Sequence, residues 1–168
     1  MIVEKGARIN ESNIKIKGEG NRVIIRKKCD LNNLNIIMEN RNGLIEIGEE
    51  TTCGKTTIVS LEPYDIKIGK NCMISYEVEI RNTDSHKMID LMEKNWINKG
   101  KKVILEDNVW LGTRTIILKG TKIGQGSIVS AGSICSKEYI KNSLIVGNPT
   151  KIVRNNITWN REEVFKSY

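Results

Sequence analysis

From Leu105 onward, apolar residues fall at every sixth position: Leu105, Leu111, Ile117, Ile123 and Val129, followed by Cys135. Four residues after most of them stands something small or β-branched: Val109, Thr115, Thr121, Ser127 and Ser133. An amphipathic helix would space its apolar residues three and four apart, and a half-buried strand would alternate them. A period of six fits neither. It predicts short straight segments joined by regular corners, each presenting one large side chain inward. The same phase runs upstream in triplets: Ile25, Leu31, Ile37; Ile47, Cys53, Val59; Ile68, Ile74, Ile80. Between triplets the count slips at stretches with turn chemistry, Asn40-Arg41-Asn42-Gly43 and Glu62-Pro63-Tyr64-Asp65, which read as corner loops pushed outward. Three hexads close one triangular coil, so five triplets predict an all-β parallel solenoid of about five stacked coils. A β-sandwich would be equally rich in isoleucine, but it predicts alternation with turns at roughly 8–12 residues. Cys53 and Cys135 take the large inward position and Cys29 and Cys72 the small one, so all four read as buried hydrophobes. A stack of coils cannot close its own ends. The β-helical domain is expected over residues 1–154, and the tail 155–168, ending TWNREEVFKSY, is expected to supply a short C-terminal helical cap.

The regularity fails once on a large scale, between Ile80 and Leu105. In phase, the next inward residue would stand at position 86, which holds His86, the single histidine of the chain. Residues 87–102 then form an extruded loop before the hexads resume. Long loops on a rigid scaffold are where binding and catalysis concentrate. The segment leading in, Arg81-Asn82-Thr83-Asp84-Ser85-His86, is dense in hydrogen-bonding groups. Two readings stand side by side: a corner turn made by Asn82 and Asp84 and capped by His86, or an acceptor-binding segment that presents a catalytic imidazole.

Composition narrows the classes. The 168 residues are a one-domain length, and 39% hydrophobic with 28% charged residues is a soluble globular balance. No apolar run approaches the ~20 residues of a membrane-spanning helix, and the start, MIVEKGARIN, lacks a secretory core. A cytoplasmic protein with no membrane insertion is therefore expected. With 27 Lys+Arg against 20 Asp+Glu, the net charge of +7 calls for an acidic partner. Nucleic acid is not expected, because the lysines are dispersed and aromatics are only 5%. The cysteines form no C-x-x-C pair or Cys/His cluster, so neither a metal site nor a disulfide framework is expected. One histidine also excludes imidazole pairs and triads.

The stretch from Leu105 to Arg154 resembles the C-terminal half of the hexapeptide-repeat acyltransferases, close to their sugar O-acetyltransferase branch. The blocks D-N-V-W-L-G, A-G-S and G-N-P-x-K-x-x-R carry the resemblance, and the N-x-D-x-H ending at His86 is similar to the family's catalytic segment. The resemblance implies a left-handed parallel β-helix and a homotrimer, with acetyl-CoA in the groove between subunits. It implies that His86 is the catalytic base and that Trp110 walls the acceptor slot beside it, with Asn82 and Asp84 binding acceptor hydroxyls or orienting the imidazole. For the donor it implies Ala131, Ser136 and Lys137 along the pantetheine, Pro149 in the terminal loop, and Lys151 and Arg154 toward the phosphates. A backbone N–H in the turn Trp110-Leu111-Gly112-Thr113 is the candidate oxyanion donor. The family's usual proline near Tyr139 is missing.

Direct transfer of an acetyl group to a hydroxyl needs only one group that takes the hydroxyl proton and returns it to the leaving thiolate. A lone imidazole suits that role near neutral pH. The expected function is acetyl-CoA-dependent O-acetylation of a saccharide, a cell-surface polysaccharide or its precursor. The positive charge would suit an anionic acceptor. Alternatives are N-acetylation of a nucleotide-linked amino sugar, acetylation of an antibiotic, and a non-catalytic scaffold. A serine acetyltransferase is disfavoured by the lack of a helical domain ahead of the first coil, and a carbonic-anhydrase solenoid by its need for three histidines.

Overall fold

A computed structural model describes residues 1–162 as a stack of short strands with, among those residues, no helix. The first coil holds β1 (Ile2–Val3), β2 (Arg8–Asn10) and β3 (Asn13–Lys17); the second β4 (Arg22–Ile25), β5 (Asp30–Asn32) and β6 (Leu34–Glu39). The third holds β7 (Leu44–Ile47), β8 (Thr52–Cys53) and β9 (Thr56–Ser60); the fourth β10 (Ile66–Ile68), β11 (Met73–Ile74) and β12 (Val78–Arg81). After the extruded loop come β13 (Val103–Leu105), β14 (Trp110–Leu111) and β15 (Ile116–Ile117), then β16 (Lys122–Ile123), β17 (Ile128–Val129) and β18 (Ile134–Cys135). A partial seventh coil, β19 (Glu138–Tyr139) and β20 (Ser143–Gly147), leads into β21 (Thr150–Asn155).

The first, second and third strands of successive coils pair in parallel to make three faces, here A, B and C, of a triangular prism. There are thus six complete coils rather than the expected five. The sixth is the first in the chain, whose Ile9, Ile14 and Ile16 are only partly buried against the core and give a weak pattern.

Stacking sorts the inward side chains into columns. On face A, Ile25, Ile47, Ile68, Leu105, Ile123 and Tyr139 are in register, and on face B Leu31, Cys53, Ile74, Leu111, Val129 and Ile145. Face C corrects the sequence phase. Its column runs through Ile36, Ile58, Ile80, Ile117 and Cys135, so Ile37 and Val59 point outward. The B-to-C corner is one residue shorter in these early coils, and a shift of one residue exchanges the faces of a strand. The small positions behave as read: Cys29, Cys72, Val109, Thr115, Thr121, Ser127 and Ser133 are all buried, as is Thr51 at the corresponding place in the third coil.

The A-to-B corners turn through left-handed residues, among them Asn71, Asn108 and Asn142. Asparagine tolerates that conformation better than most L-residues. Tyr139 fills the last rung of the face A column, and its hydroxyl meets Thr150 Oγ1. The C-terminal end closes without a helix in the described part of the tail. β21 folds back antiparallel on β20, and residues 156–162 continue without regular secondary structure. The rest of the expected helical cap lies outside the described residues.

The register makes a direct prediction. Ile58→Ala should cost about 2–5 kcal/mol by opening a cavity in the core, and Val59→Ala far less, read from denaturant midpoints. Equal losses would contradict the face C assignment.

Candidate active site

His86 sits at the C-to-A corner of the fourth coil, at the stem of the extruded loop. Its backbone is held on both sides: its N–H donates to Asp84 O at 2.9 Å, and Asn98 Nδ2 donates to its carbonyl at 2.9 Å. The ring is exposed, and no described residue hydrogen-bonds either of its nitrogens. It borders a hollow of about 200 Å³ shared with Leu61, Glu62, Thr83, Ser85, Lys87 and Trp96.

The loop stem is polar and tightly connected. Asn98 Oδ1 accepts from Met88 N and Trp96 Nε1, while its amide also donates to Asp84 Oδ2. Asp84 is further bound by Lys119 Nζ, which reaches across from the next coil and also donates to Asn98 O. Glu62 accepts from Thr83 Oγ1 at one carboxylate oxygen and from Gly100 N at the other. An added Cβ at Gly100 would lie 2.8 Å from both Asn82 O and Glu62 Cδ, so the chain can re-enter the corner only as glycine. Asn98, Lys119 and Glu62 were not singled out in the sequence. The available cue was that they are polar groups within or beside an interrupted repeat.

Asn82 is fully buried, with the two N–H groups of Nδ2 shared among Ser60 Oγ, Glu62 O and Tyr64 O, all within hydrogen-bond distance. Its amide closes the corner from inside, so its side chain faces the core rather than the surface on which an acceptor would lie. Asp84 anchors the loop and is only partly exposed.

The remaining expected residues fall into two groups. Ser136 and Lys137 are exposed on the same C-to-A edge as His86, two rungs on. Trp110 projects outward from face B, in register with Met73 and Ile128. It packs on Trp159 with ring centroids 6.0 Å apart, and its Nε1 approaches Ser75 Oγ at 3.5 Å. Gly112, Thr113 and Ala131 stack at the B-to-C corner, where Gly132 N donates to Thr113 O. A Cβ on Gly112 would lie 2.6 Å from Ala131 N, so glycine permits the close rung spacing there. Pro149 stands in the turn between β20 and β21, and Lys151 and Arg154 are exposed on β21. Face C separates the two groups, so one chain does not bring Trp110 beside His86.

The chain is 35% identical over 164 residues to the polysialic acid O-acetyltransferase of Neisseria meningitidis, covering 96% of this chain and 75% of that protein. It belongs to the hexapeptide-repeat O-acetyltransferases. The polysialic acid O-acetyltransferase of Escherichia coli O1:K1 is 31% identical over 127 residues, covering 76% of this chain and 41% of its own length. The crystal structure of the polysialic acid O-acetyltransferase OatWY matches at 30% identity with a TM-score of 0.79, over 96% of this chain and 87% of that one. No protein-family model matches the sequence.

Two features of this acetyltransferase bear on its chemistry. Its four cysteines are free and buried, and desolvation pushes the thiols of Cys53, Cys72 and Cys135 up to about 11, which leaves them poor nucleophiles. No group of three or more His, Cys, Asp or Glu placed to hold a metal ion occurs among the described residues. No described helix is long and apolar enough to cross a membrane.

At Asp84 burial alone would raise the carboxyl, but the bonds from Lys119 and Asn98 outweigh it and hold it below its usual 3.8. A folded-state pKa below the unfolded one stabilises the loop stem at every pH above the unfolded value, and the effect is lost as pH falls through the lowered value. Asp84→Asn should therefore loosen the stem at neutral pH. Trypsin cleavage after Lys87, Lys94 and Lys99 is expected to accelerate, whereas an unchanged digestion rate would show that the carboxylate does not hold the loop.

Proposed function

We propose that this enzyme transfers an acetyl group from acetyl-CoA to a hydroxyl of an anionic polysaccharide, with His86 as general base. One observation carries the assignment: the backbone of His86 is fixed on both sides while its ring stays open to ligand. The neutral imidazole takes the hydroxyl proton as the oxygen attacks the thioester carbonyl. The C–S bond then breaks, and the imidazolium returns the proton to the departing thiolate, giving the O-acetyl ester and free CoA. No enzyme nucleophile is needed, which agrees with the inert thiols. A backbone N–H of the turn Trp110-Leu111-Gly112-Thr113 is the candidate to stabilise the oxyanion.

An anionic acceptor is supported by the net charge of +7 and by exposed Lys101, Lys102 and Lys137 on the edge that carries His86. Both relatives described above are named for polysialic acid. Cytoplasmic work with acetyl-CoA agrees with four reduced cysteines.

The separation of the two residue groups supports a homotrimer. In it, the edge bearing His86, Ser136 and Lys137 would meet the neighbour's surface bearing Trp110, Gly112, Thr113, Ala131, Pro149, Lys151 and Arg154. The extruded loop supports the same assembly. Its tip residues Leu91 and Met92 are 79% and 89% exposed, apolar surface that a neighbouring copy would cover.

His86→Ala should lower turnover by about 100-fold or more, followed as thiol release with acetyl-CoA and a panel of polysialic acid, neutral saccharides and amino-sugar nucleotides. Acetylation confined to an amine would replace the O-acetyl assignment. The shared site has its own test: coexpressed His86→Ala and Trp110→Ala chains should regain part of the activity that each lacks alone. Failure to complement would show that one chain supplies both residues.

A further inference from the structure

The C-terminal segment after β21 does more than end the chain. It runs back along the A-to-B edge, opposite to the direction of coil growth, and corner asparagines of the seventh, fifth and fourth coils receive it in turn. Ile157 N donates to Asn142 O, and Asn142 Nδ2 donates back to Ile157 O. Asn108 Nδ2 lies 3.3 Å from Thr158 Oγ1, and Trp159 Nε1 donates to Asn108 O at 2.7 Å. Arg161 then spans the third and fourth coils, donating to Asn71 Oδ1, Thr52 Oγ1, Glu50 O and Cys72 O. Side chains that turn the corners thus double as a track for the tail.

The load this track carries is one indole. Trp159 is only 9% exposed although it lies outside the prism. One neighbour is the Arg161 guanidinium, 5.6 Å from its ring, and another is Trp110, inclined at 52°. Tilted aromatic pairs and cation–π contacts of this kind are directional. Trp110 itself springs from a two-residue strand, and an outward indole on such a strand has little else of its own coil to fix its plane.

We infer that Trp159, held by Arg161, is a positioning residue that sets the orientation of the Trp110 indole for the saccharide. The inference rests on the reading of Trp110 as a wall of the acceptor slot. Misplacement of a substrate-positioning group costs catalytic efficiency steeply, and the cost here falls on the acceptor, because the hydrogen bonds and ring contacts of Trp159 and Arg161 go to Asn108, Asn71, Thr52, Glu50, Cys72 and Trp110, and to none of the donor residues or His86.

The test uses the full-length enzyme with acetyl-CoA and polysialic acid. Arg161→Ala and Trp159→Ala should raise the KM for the saccharide about tenfold and leave the KM for acetyl-CoA unchanged. Trp159→Phe, which keeps an aromatic ring against Trp110, should restore most of the loss. A purely structural strap would shift both KM values or neither. The circular-dichroism band of the coupled indoles supplies a readout independent of turnover. It should vanish equally in Trp110→Ala and Trp159→Ala and weaken in Arg161→Ala. A full-strength band in Arg161→Ala would overturn the clamp. If Trp110→Ala raises the acceptor KM while Trp159→Ala and Arg161→Ala do not, the strap has no positioning role and the slot wall stands. If Trp110→Ala leaves that KM unchanged, the slot-wall reading fails and takes this inference with it.

Discussion

Parallel rung pairing governs this molecule. Each rung's N–H and C=O groups are satisfied by the rungs above and below at about 4.8 Å, so a side chain must stack on its counterpart one coil away. The register leaves no fractional choice: a residue faces the core or the solvent, together with its whole column. The isoleucine columns of faces A and C follow from that rule. So does the need for small residues at the corners, where the three faces converge and there is no room for a second large side chain.

The same rule decides where chain can leave the scaffold. A strand cannot be interrupted without orphaning its neighbours' backbone groups, whereas a corner can. The first coils are broad, with extra inward columns such as Ile16, Met38 and Ser60 beside Val23, Ile45 and Ile66. At Asn82 the apolar and hydroxyl column ends in an amide shared among three acceptors, and the following coils are narrow. The extruded loop departs where the cross-section tapers. His86 is therefore placed by a change in the width of the core as much as by its local turn.

The repeat was legible because one large inward residue per hexad is a strong signal where the corners are uniform, from Leu105 to Cys135. It misled by one position at Ile37 and Val59, because two adjacent β-branched or isoleucine residues fit either face and only the corner length decides between them. The interruption at His86 could be read directly. Its anchors could not, since Asn98, Lys119 and Glu62 converge from three places in the chain and carry no shared spacing. Asn82 shows the converse: a polar residue in a catalytic-looking motif that the fold uses inside a corner. Trp159 and Arg161 lie in a stretch whose composition suits a helical cap, and only the asparagine track shows what holds this part of the tail in its irregular path.

The role proposed for His86 requires that the imidazole's position be settled before substrate arrives, because one group would have to serve both the incoming hydroxyl and the leaving thiolate. Freedom in the backbone would spread the ring over many positions, and each lost ångström is costly. The stem meets this requirement with hydrogen bonds to the main chain on both sides of His86, while no described residue bonds the ring nitrogens. The same economy recurs on face B, where the strap bonds main-chain and corner groups and touches Trp110 only through a ring. In both places the fold fixes the frame and leaves open the side-chain face to which a role is proposed. Since the two frames lie on separate edges of a rigid prism, bending one chain cannot join them. Apposition of a second rigid prism, as in the proposed trimer, would join them without disturbing a rung of either.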